Sequence, residues 1–301
     1  MKKTKFIWLN GKFVRWEKAM VHVLSHTLHY GSGAFEGIRC YNTKKGTAIF
    51  RLNEHITRLF DSFSIFNIKI KNTIKEIVKA TIEIIKKNKL KEGYIRPIIF
   101  FGYGVMGLHN IHKCKVNIAI ACWPWPAYLG GKAIKVKVSN YIRLHKDSVK
   151  ADKKITGYYI NSILASLDAK RSGYDEALLL DFKGNIAEGP GENFFIVKDN
   201  IIKTPRIKGQ ILPGITRDSI IKIATDLGYK VIEKEISLNE VLKADEAFFT
   251  GTAAEITPIE SINNKKIGTG KLEITGVLRK NYLDIVHGKN KKYENWLTYV
   301  K

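Results

Sequence analysis

The chain has 301 residues, 45% of them hydrophobic, 26% charged and 11% aromatic, an ordinary folded composition with room for two domains. The formal net charge is +23, but the lysines are scattered, with no dense basic block or RNA-binding aromatic motif, so they read as solvated faces. No apolar run nears the roughly 20 residues of a membrane span, Phe6–Leu9 is too short for a secretion signal, and Cys40, Cys114 and Cys122 form no CxxC pair, so a cytoplasmic protein is expected.

In chain order, Phe6–Leu9 and Lys12–Trp16 flank Asn10-Gly11, the strongest short signal for a two-residue hairpin turn. His22–Ile38 is rich in polar and aromatic residues and has little clear period. Thr47–Arg51 reads as a strand, and Asn53 is placed to cap a helix through about Phe66. Thr73-Ile74-Lys75-Glu76 is a capping box that opens a helix to about Lys87, with Ile77, Ile84 and Ile85 at helical spacing. Tyr94–Phe101 and Val116–Cys122 are apolar, β-branched and strand-like. The prolines and glycines of Trp123–Gly131 interrupt regular structure, which predicts domains at 1–122 and 132–301 joined by a linker at 123–131. The aromatics of that linker are expected to line a cleft.

Beyond the linker, a strand is predicted at Ala133–Ser139 and a helix from about Gly157 to Arg171. Ala177–Asp181 and Phe194–Val197 read as strands, joined by a Gly-rich link holding Glu188 and Glu192. That link is longer than a plain hairpin needs, which suggests backbone passing close to a ligand. Pro213-Gly214-Ile215-Thr216 starts a helix that Gly228 ends, Ser237–Glu240 reads as a second capping box, and Glu246–Thr250 is a strand running into Gly251. A last helix is predicted over Lys271–His287. Strands and helices alternate irregularly, as in a mixed α+β architecture.

Three stretches carry chemistry on their own terms. Proline and glycine ahead of a helix leave backbone N–H groups at Ile215 and Thr216 on a positive dipole end, a natural phosphate site. The turn Gly251-Thr252-Ala253-Ala254 offers a hydroxyl and further N–H groups to an anion. A desolvated lysine in Asp152-Lys153-Lys154-Ile155 can form a Schiff base with an aldehyde cofactor. Each is also what an ordinary cap, turn or surface would show. The histidine groups His22, His26, His29 and His109, His112 match no zinc spacing, and no GxSxG is present, so neither metal nor a serine nucleophile is expected.

Seven blocks taken together resemble the branched-chain amino acid aminotransferases of the fold-type IV pyridoxal-phosphate enzymes. They are HTLHYGSGAFEGIRCY (26–41), YIRPIIFFGYGVMGL (94–108), PWPAYLG (124–130), KITGYYINSILA (154–165), EGPGENFF (188–195), LPGITRDSII (212–221) and GTAAEITPI (251–259). The resemblance implies a smaller N-terminal domain, a larger C-terminal domain with pseudo-barrel β structure, and an active site between them.

It also implies roles. Lys154 matches the lysine that holds pyridoxal 5'-phosphate as a Schiff base and moves the proton of the substrate Cα. Glu188 matches the partner of the pyridine nitrogen, and Tyr159 that of the phenolic oxygen. Arg58, Ile215, Thr216 and Thr252 match the phosphate cradle, and Leu212 the residue packed on the ring. The Ala253 and Ala254 N–H groups with Tyr94 match the holders of the α-carboxylate. Phe35, Tyr159 and Trp125 match the walls of an apolar side-chain pocket, joined by Tyr30 and Leu108 of a neighbouring subunit. Arg96, helped by Tyr30 and Tyr128, matches the group that accepts the distal carboxylate of glutamate. Glu192 is left with a supporting role, orienting Arg58 or the loop.

The implied reaction is reversible transamination between leucine, isoleucine or valine and 2-oxoglutarate, in a homodimer or a hexamer built from dimers, with no metal, nucleic acid or membrane partner. Three positions depart from the family pattern: Tyr158 stands where asparagine is usual, Pro190 where a small residue is usual, and Lys153 duplicates its neighbour. Lys154 is chosen because it keeps the family's spacing to Gly157 and Tyr159. D-amino-acid aminotransferases and aminodeoxychorismate lyases use a similar lysine and glutamate, but FEGIRCY, YIRP and GTAAEITP include the substrate-side positions of the branched-chain enzymes. A basic nucleic-acid-binding protein on an inactive enzyme fold is the alternative from another class.

Overall fold

The computed structural model describes residues 2–125 and 132–300. Tyr128 and most of the 123–131 linker lie outside the described residues. The chain divides into two compact units, one of Met1–Pro126, Lys153–Gly157 and Asp284–Lys301, the other of Ala127–Asp152 and Tyr158–Leu283. The sequence reading placed all of 132–301 in one domain; here the Lys153–Gly157 segment and the C-terminus count with the first unit.

The first unit opens with β1 (Phe6–Leu9) and β2 (Lys12–Arg15), paired with Leu9 opposite Lys12. Asn10 and Gly11 both take positive φ, 48° and 90°, as the predicted primed turn requires. There follow a short helix α1 (His26–Tyr30), then β3 (Gly33–Phe35), β4 (Ile38–Thr43) and β5 (Gly46–Phe50). Helix α2 is Leu52–Phe63, and Arg51, at φ 48°, occupies its N-cap position. Asn53 therefore lies inside the helix rather than capping it, and a separate 3-10 turn covers Ser64–Phe66. Leu52, His55, Ile56, Leu59 and Phe63 form its buried stripe, at the three- and four-residue spacing of one helical face.

Helix α3 (Ile74–Asn88) carries both halves of the predicted capping box: Glu76 N–H donates to Thr73 Oγ1 at 3.3 Å, and Thr73 N–H donates to Glu76 Oε2 at 2.7 Å. Strands β6 (Gly93–Phe101) and β7 (Val116–Trp123) are the longest antiparallel pair of the unit. A C-terminal strand, Leu297–Tyr299, pairs with β5 to close one edge of the eight-stranded sheet. Strands β3 and β4 both pair with β6, through Phe35 opposite Ile98 and Ile38 opposite Ile95. Between them the ladder passes Pro97, which has no N–H to donate, and Glu36 N–H instead donates to the Pro97 carbonyl at 2.9 Å. Glu36 and Gly37 occupy this break.

The second unit contains β8 (Ile134–Val138), α4 (Tyr159–Arg171), β9 (Glu176–Leu180), β10 (Ile186–Glu188), β11 (Asn193–Lys198) and β12 (Ile201–Thr204). It continues with α5 (Ile215–Asp226), β13 (Lys230–Glu233), α6 (Leu238–Leu242), β14 (Glu246–Gly251), β15 (Glu255–Ile262), β16 (Lys265–Lys266) and, as far as Leu283, α7 (Glu273–Val286). Its nine-stranded sheet is mixed: β8 runs parallel to β9 and β15, and β12 parallel to β13, while the other pairs are antiparallel. Phe194, Phe249, Ile196, Leu178 and Val136 interdigitate in its core, and Ala165 and Ala169 of α4 pack closely on Ala177 and Leu179 of β9.

Two local expectations change here. The Gly-rich link between the two apolar strands is not all loop: Ile186–Glu188 forms β10, paired to β9 across a register shift. At α6, Ser237 Oγ accepts from Glu240 N–H at 3.2 Å, but the Glu240 carboxylate binds the Lys203 and Lys234 ammonium groups. Two lysines outcompete the backbone for it.

Candidate active site

In the first unit, Lys154 sits on a short segment tied down at every residue. Phe35 N–H donates to the Lys154 carbonyl at 3.2 Å, Lys154 N–H donates to Ser62 Oγ at 3.0 Å, and Ala34 bridges Ile155. Thr156 Oγ1 and Gly157 N–H both donate to the Gly31 carbonyl, at 2.6 and 3.0 Å. Gly31 has φ 64°, and a Cβ on it would stand 2.4 Å from Gly157 Cα. Only two glycines let these backbones approach so closely. The two adjacent lysines part company: Lys153 Nζ pairs with Asp61 Oδ2 at 2.7 Å, whereas Lys154 Nζ lies 5.0 Å from the centre of the Phe35 ring.

Arg58, from α2, is gripped by a fully buried carboxylate that the sequence did not single out. Its Nε donates to Glu36 Oε1 at 2.6 Å and its Nη2 to Glu36 Oε2 at 3.0 Å, a bidentate fork. His55 Nδ1 lies 2.8 Å from Glu36 Oε2, one helical turn from Arg58. Burial pushes the Glu36 carboxyl up, but the Arg58 guanidinium and then His55 outweigh it, so the group stays well below the usual carboxylate range. Burial lowers His55, and the nearby Arg58 and Lys154 charges lower it further, against the pull of Glu36. A neutral ring whose Nδ1–H donates to Glu36 satisfies both.

On β6, Tyr94 and Arg96 project from the same face, two residues apart. Arg96 Nη2 lies 3.2 Å from Tyr94 Oη, and the guanidinium stands 4.9 Å from the Phe35 ring centre. The Tyr94 ring packs against Trp123 and Trp125, at 5.4 and 4.7 Å between centroids. The structure thus brings Phe35, Tyr94, Arg96, Trp125 and Lys154 into one cluster in this unit, while Tyr30 and Leu108 are exposed on its surface.

In the second unit, Glu188 ends β10 and is 4% exposed. Arg143 Nε donates to its Oε1 at 2.6 Å, Asn193 Nδ2 to its Oε2 at 3.1 Å, and Leu212 N–H to both oxygens at 3.3 and 3.2 Å. Asn193 also donates to the Leu212 carbonyl at 2.9 Å, which sets the start of the segment leading to α5. The N-cap of α5 is Gly214, and no side chain caps it. A Cβ on Gly214 would fall 1.9 Å from Asn193 Oδ1, so the approach depends on glycine. Thr216 and Ile215 are buried in the first turn. Thr252, Ala253 and Ala254 form the turn between β14 and β15, with Glu255 at φ 54°. Tyr159 is the first residue of α4 and is half-buried. Glu192 Oε2 accepts from Gly191 N–H at 2.9 Å, within its own loop.

Glu36, His55, Arg143 and Asn193 were missed as a supporting set. A faint signal existed for the first: a charge flanked by Ala34, Phe35 and Ile38 has to be buried, and a buried carboxylate needs a cation. For Arg143 there was none, since 45 residues separate it from Glu188.

The amino-transferase class IV family matches residues 33–262. The branched-chain-amino-acid aminotransferase of Pseudomonas aeruginosa is 48% identical over 300 residues, covering 98% of this chain and 97% of that one. Among solved structures, the branched-chain aminotransferase of Thermoproteus uzoniensis with norvaline superposes with a TM-score of 0.95 at 40% identity, covering 99% of this chain and 100% of that one. The T.th. branched-chain amino acid aminotransferase complexed with N-(5'-phosphopyridoxyl)-L-glutamate gives 0.95 and 40%, with 100% of both chains covered. With likeness of this degree over nearly its whole length, the chain belongs to the class IV amino-transferases and, within them, to the branched-chain aminotransferase family.

Proposed function

We propose that the protein transfers an amino group reversibly between leucine, isoleucine or valine and 2-oxoglutarate, using pyridoxal 5'-phosphate carried on Lys154. The observation that carries the cofactor reading is Glu188, a buried carboxylate ion-paired to Arg143 and fixed by an amide and a backbone N–H. A pyridine nitrogen that is to stay protonated needs such a partner. The remaining residues fit the group as well. A phosphate dianion calls for a guanidinium, hydroxyls and open helix N–H groups, which Arg58, Thr216, Thr252 and the side-chain-free cap at Gly214 supply. Lys154, which keeps the family's spacing to Gly157 and Tyr159, is the amine proposed to meet an aldehyde, and its Nζ lies over the Phe35 ring.

When bound, the cofactor supplies the electron sink for charge developing at the substrate Cα. The protein does the rest. Lys154 Nζ takes the Cα proton and returns it as general acid. Tyr159 orients the phenolic oxygen, and Leu212 packs on the ring. Tyr94 with the Ala253 and Ala254 N–H groups holds the α-carboxylate, and Phe35, Tyr159 and Trp125 wall an apolar side-chain pocket. Arg96 accepts the distal carboxylate of glutamate, so one pocket serves both an apolar and a charged partner; Tyr128 and Tyr30 assist it.

Tyr30 and Leu108 are assigned to a neighbouring copy's pocket. The exposure of Leu28, Tyr30 and Leu108, and of Ile160, Ile163 and Leu167 along α4, supports a homo-oligomer, dimer or hexamer. Among the described residues no helix is long and apolar enough to cross a membrane, which is compatible with the cytoplasmic location proposed here.

The test is spectroscopic. Protein reconstituted with pyridoxal 5'-phosphate should show a visible band that shifts with L-leucine and returns with 2-oxoglutarate. Failure to take up the cofactor would refute the reading. Lys154→Ala should abolish turnover while Lys153→Ala retains it; the reverse result would reassign the lysine.

A further inference from the structure

We infer that Gly37 is a positioning residue for Tyr94: its missing side chain is the space into which the Tyr94 hydroxyl fits, and thereby sets the grip on the substrate carboxylate. The inference rests on the reading of Tyr94 as an α-carboxylate ligand. A Cβ built on Gly37 would fall 1.8 Å from Tyr94 Oη and 2.7 Å from its Cζ. Gly37 does not take a positive φ, so its backbone conformation is open to any residue, and space rather than backbone freedom calls for glycine there.

The tyrosine has no easy retreat. Its ring, on β6, is packed against Trp123 at the end of β7 and Trp125 just beyond it, Tyr94 is 7% exposed, and its hydroxyl is held by Arg96 Nη2 at 3.2 Å. Nor is residue 37 free to move away. It sits at the ladder break beside Pro97, between β3 and β4, and its own N–H donates to Glu36 Oε2 at 3.2 Å. Glu36 is the carboxylate that grips Arg58. A side chain at 37 therefore pushes on the Tyr94 head and on the Arg96 contact, two groups assigned to opposite ends of glutamate. The expected consequence is a binding defect, since a carboxylate contact made equally in ground and transition states appears in KM more than in kcat.

The experiment is a double-mutant cycle on the cofactor-loaded enzyme, with Gly37→Ala, Tyr94→Leu and the pair. Leucine with the ring's outer atoms removed clears the space; Tyr94→Phe relieves only part, because Cζ remains. Gly37→Ala should raise the KM for leucine and glutamate about tenfold or more with kcat changed less than threefold, the size of one lost polar contact. It should weaken 4-methylvalerate, a carboxylate without the amino group, by a similar factor. In the Tyr94→Leu background, Gly37→Ala should change KM and melting temperature hardly at all. If the alanine costs as much without the tyrosine as with it, the inference is overturned. Should Gly37→Ala fail to fold, the double variant must still fold, and its failure would overturn the inference too. If Tyr94→Phe leaves KM and 4-methylvalerate binding untouched, the carboxylate reading of Tyr94 fails separately, while the melting-temperature cycle still judges the Gly37 contact.

Discussion

Two buried carboxylates, Glu36 in the first unit and Glu188 in the second, are satisfied in different ways. Glu36 is 0% exposed and is surrounded by ionisable groups, with Arg58 on one side and His55 on the other. Glu188 receives one guanidinium, one amide and one backbone N–H. An oxygen held by a neutral amide or backbone donor keeps its charge available to a further partner; an oxygen pinned by a guanidinium fork has spent it on orientation. Under the proposed function, Glu188 serves the reacting group and Glu36 the placement of Arg58. Their loss should therefore be felt in different measurements.

The largest expected effect is on turnover. Glu188→Gln keeps the shape and one oxygen for Asn193 and Leu212 but removes the charge and the acceptor of Arg143, so kcat should fall about 10²- to 10³-fold at saturating cofactor. A fall of less than tenfold would break the comparison at its first term. For Glu36→Gln the main loss should be in stability. Removing one member of a buried ion pair should cost about 3–5 kcal/mol of unfolding free energy, read by denaturant titration. The pH dependence follows from the lowered carboxyl. The ion-paired form stabilises the fold fully above the unfolded-state value, and that contribution is lost as pH falls through the folded one. The gap between wild type and Glu36→Gln should therefore be constant at neutral pH and narrow only below the model-peptide carboxylate range, about pH 4.3.

What the sequence disclosed, and what it withheld, divides along the same line. Features set by adjacent residues were legible: the Asn10-Gly11 turn, the Thr73–Glu76 box, the Pro213-Gly214 helix start. The residues proposed to face the cofactor stand out only as ordered blocks resembling a family, because Lys154, Glu188 and Thr252 have no local pattern that separates them from surface. The partners of the buried carboxylates were not legible at all. Glu36 meets His55 and Arg58 across 19 and 22 residues, and Arg143 reaches Glu188 across 45, distances set by sheet topology rather than by any period. The β10 strand was hidden for a related reason: its pairing is interrupted by a register shift, so Ile186–Glu188 reads as loop.

His55 provides the smallest and most discriminating test of the contrast. A His55→Phe substitution keeps an aromatic ring in the α2 stripe and removes both ring nitrogens, with them the Nδ1–H donated to Glu36. Because the acceptor is charged, the loss should be about 1.5–3 kcal/mol, and less than that of Glu36→Gln, since Arg58 still compensates the carboxylate. Its pH dependence should occupy another window. Burial lowers His55 in the folded state, so the unfolded chain binds the proton more readily, and wild-type stability falls as pH drops below about 6.5 toward the folded value. Phenylalanine cannot titrate, so the gap between wild type and His55→Phe should begin to narrow near pH 6.5, well before the Glu36→Gln gap does. If both gaps narrow together, the two groups titrate as one unit and His55 is charged in the folded protein. Separate windows would instead fix the buried network as one anion, one guanidinium and a neutral imidazole, with Arg58 supplying the charge that balances Glu36.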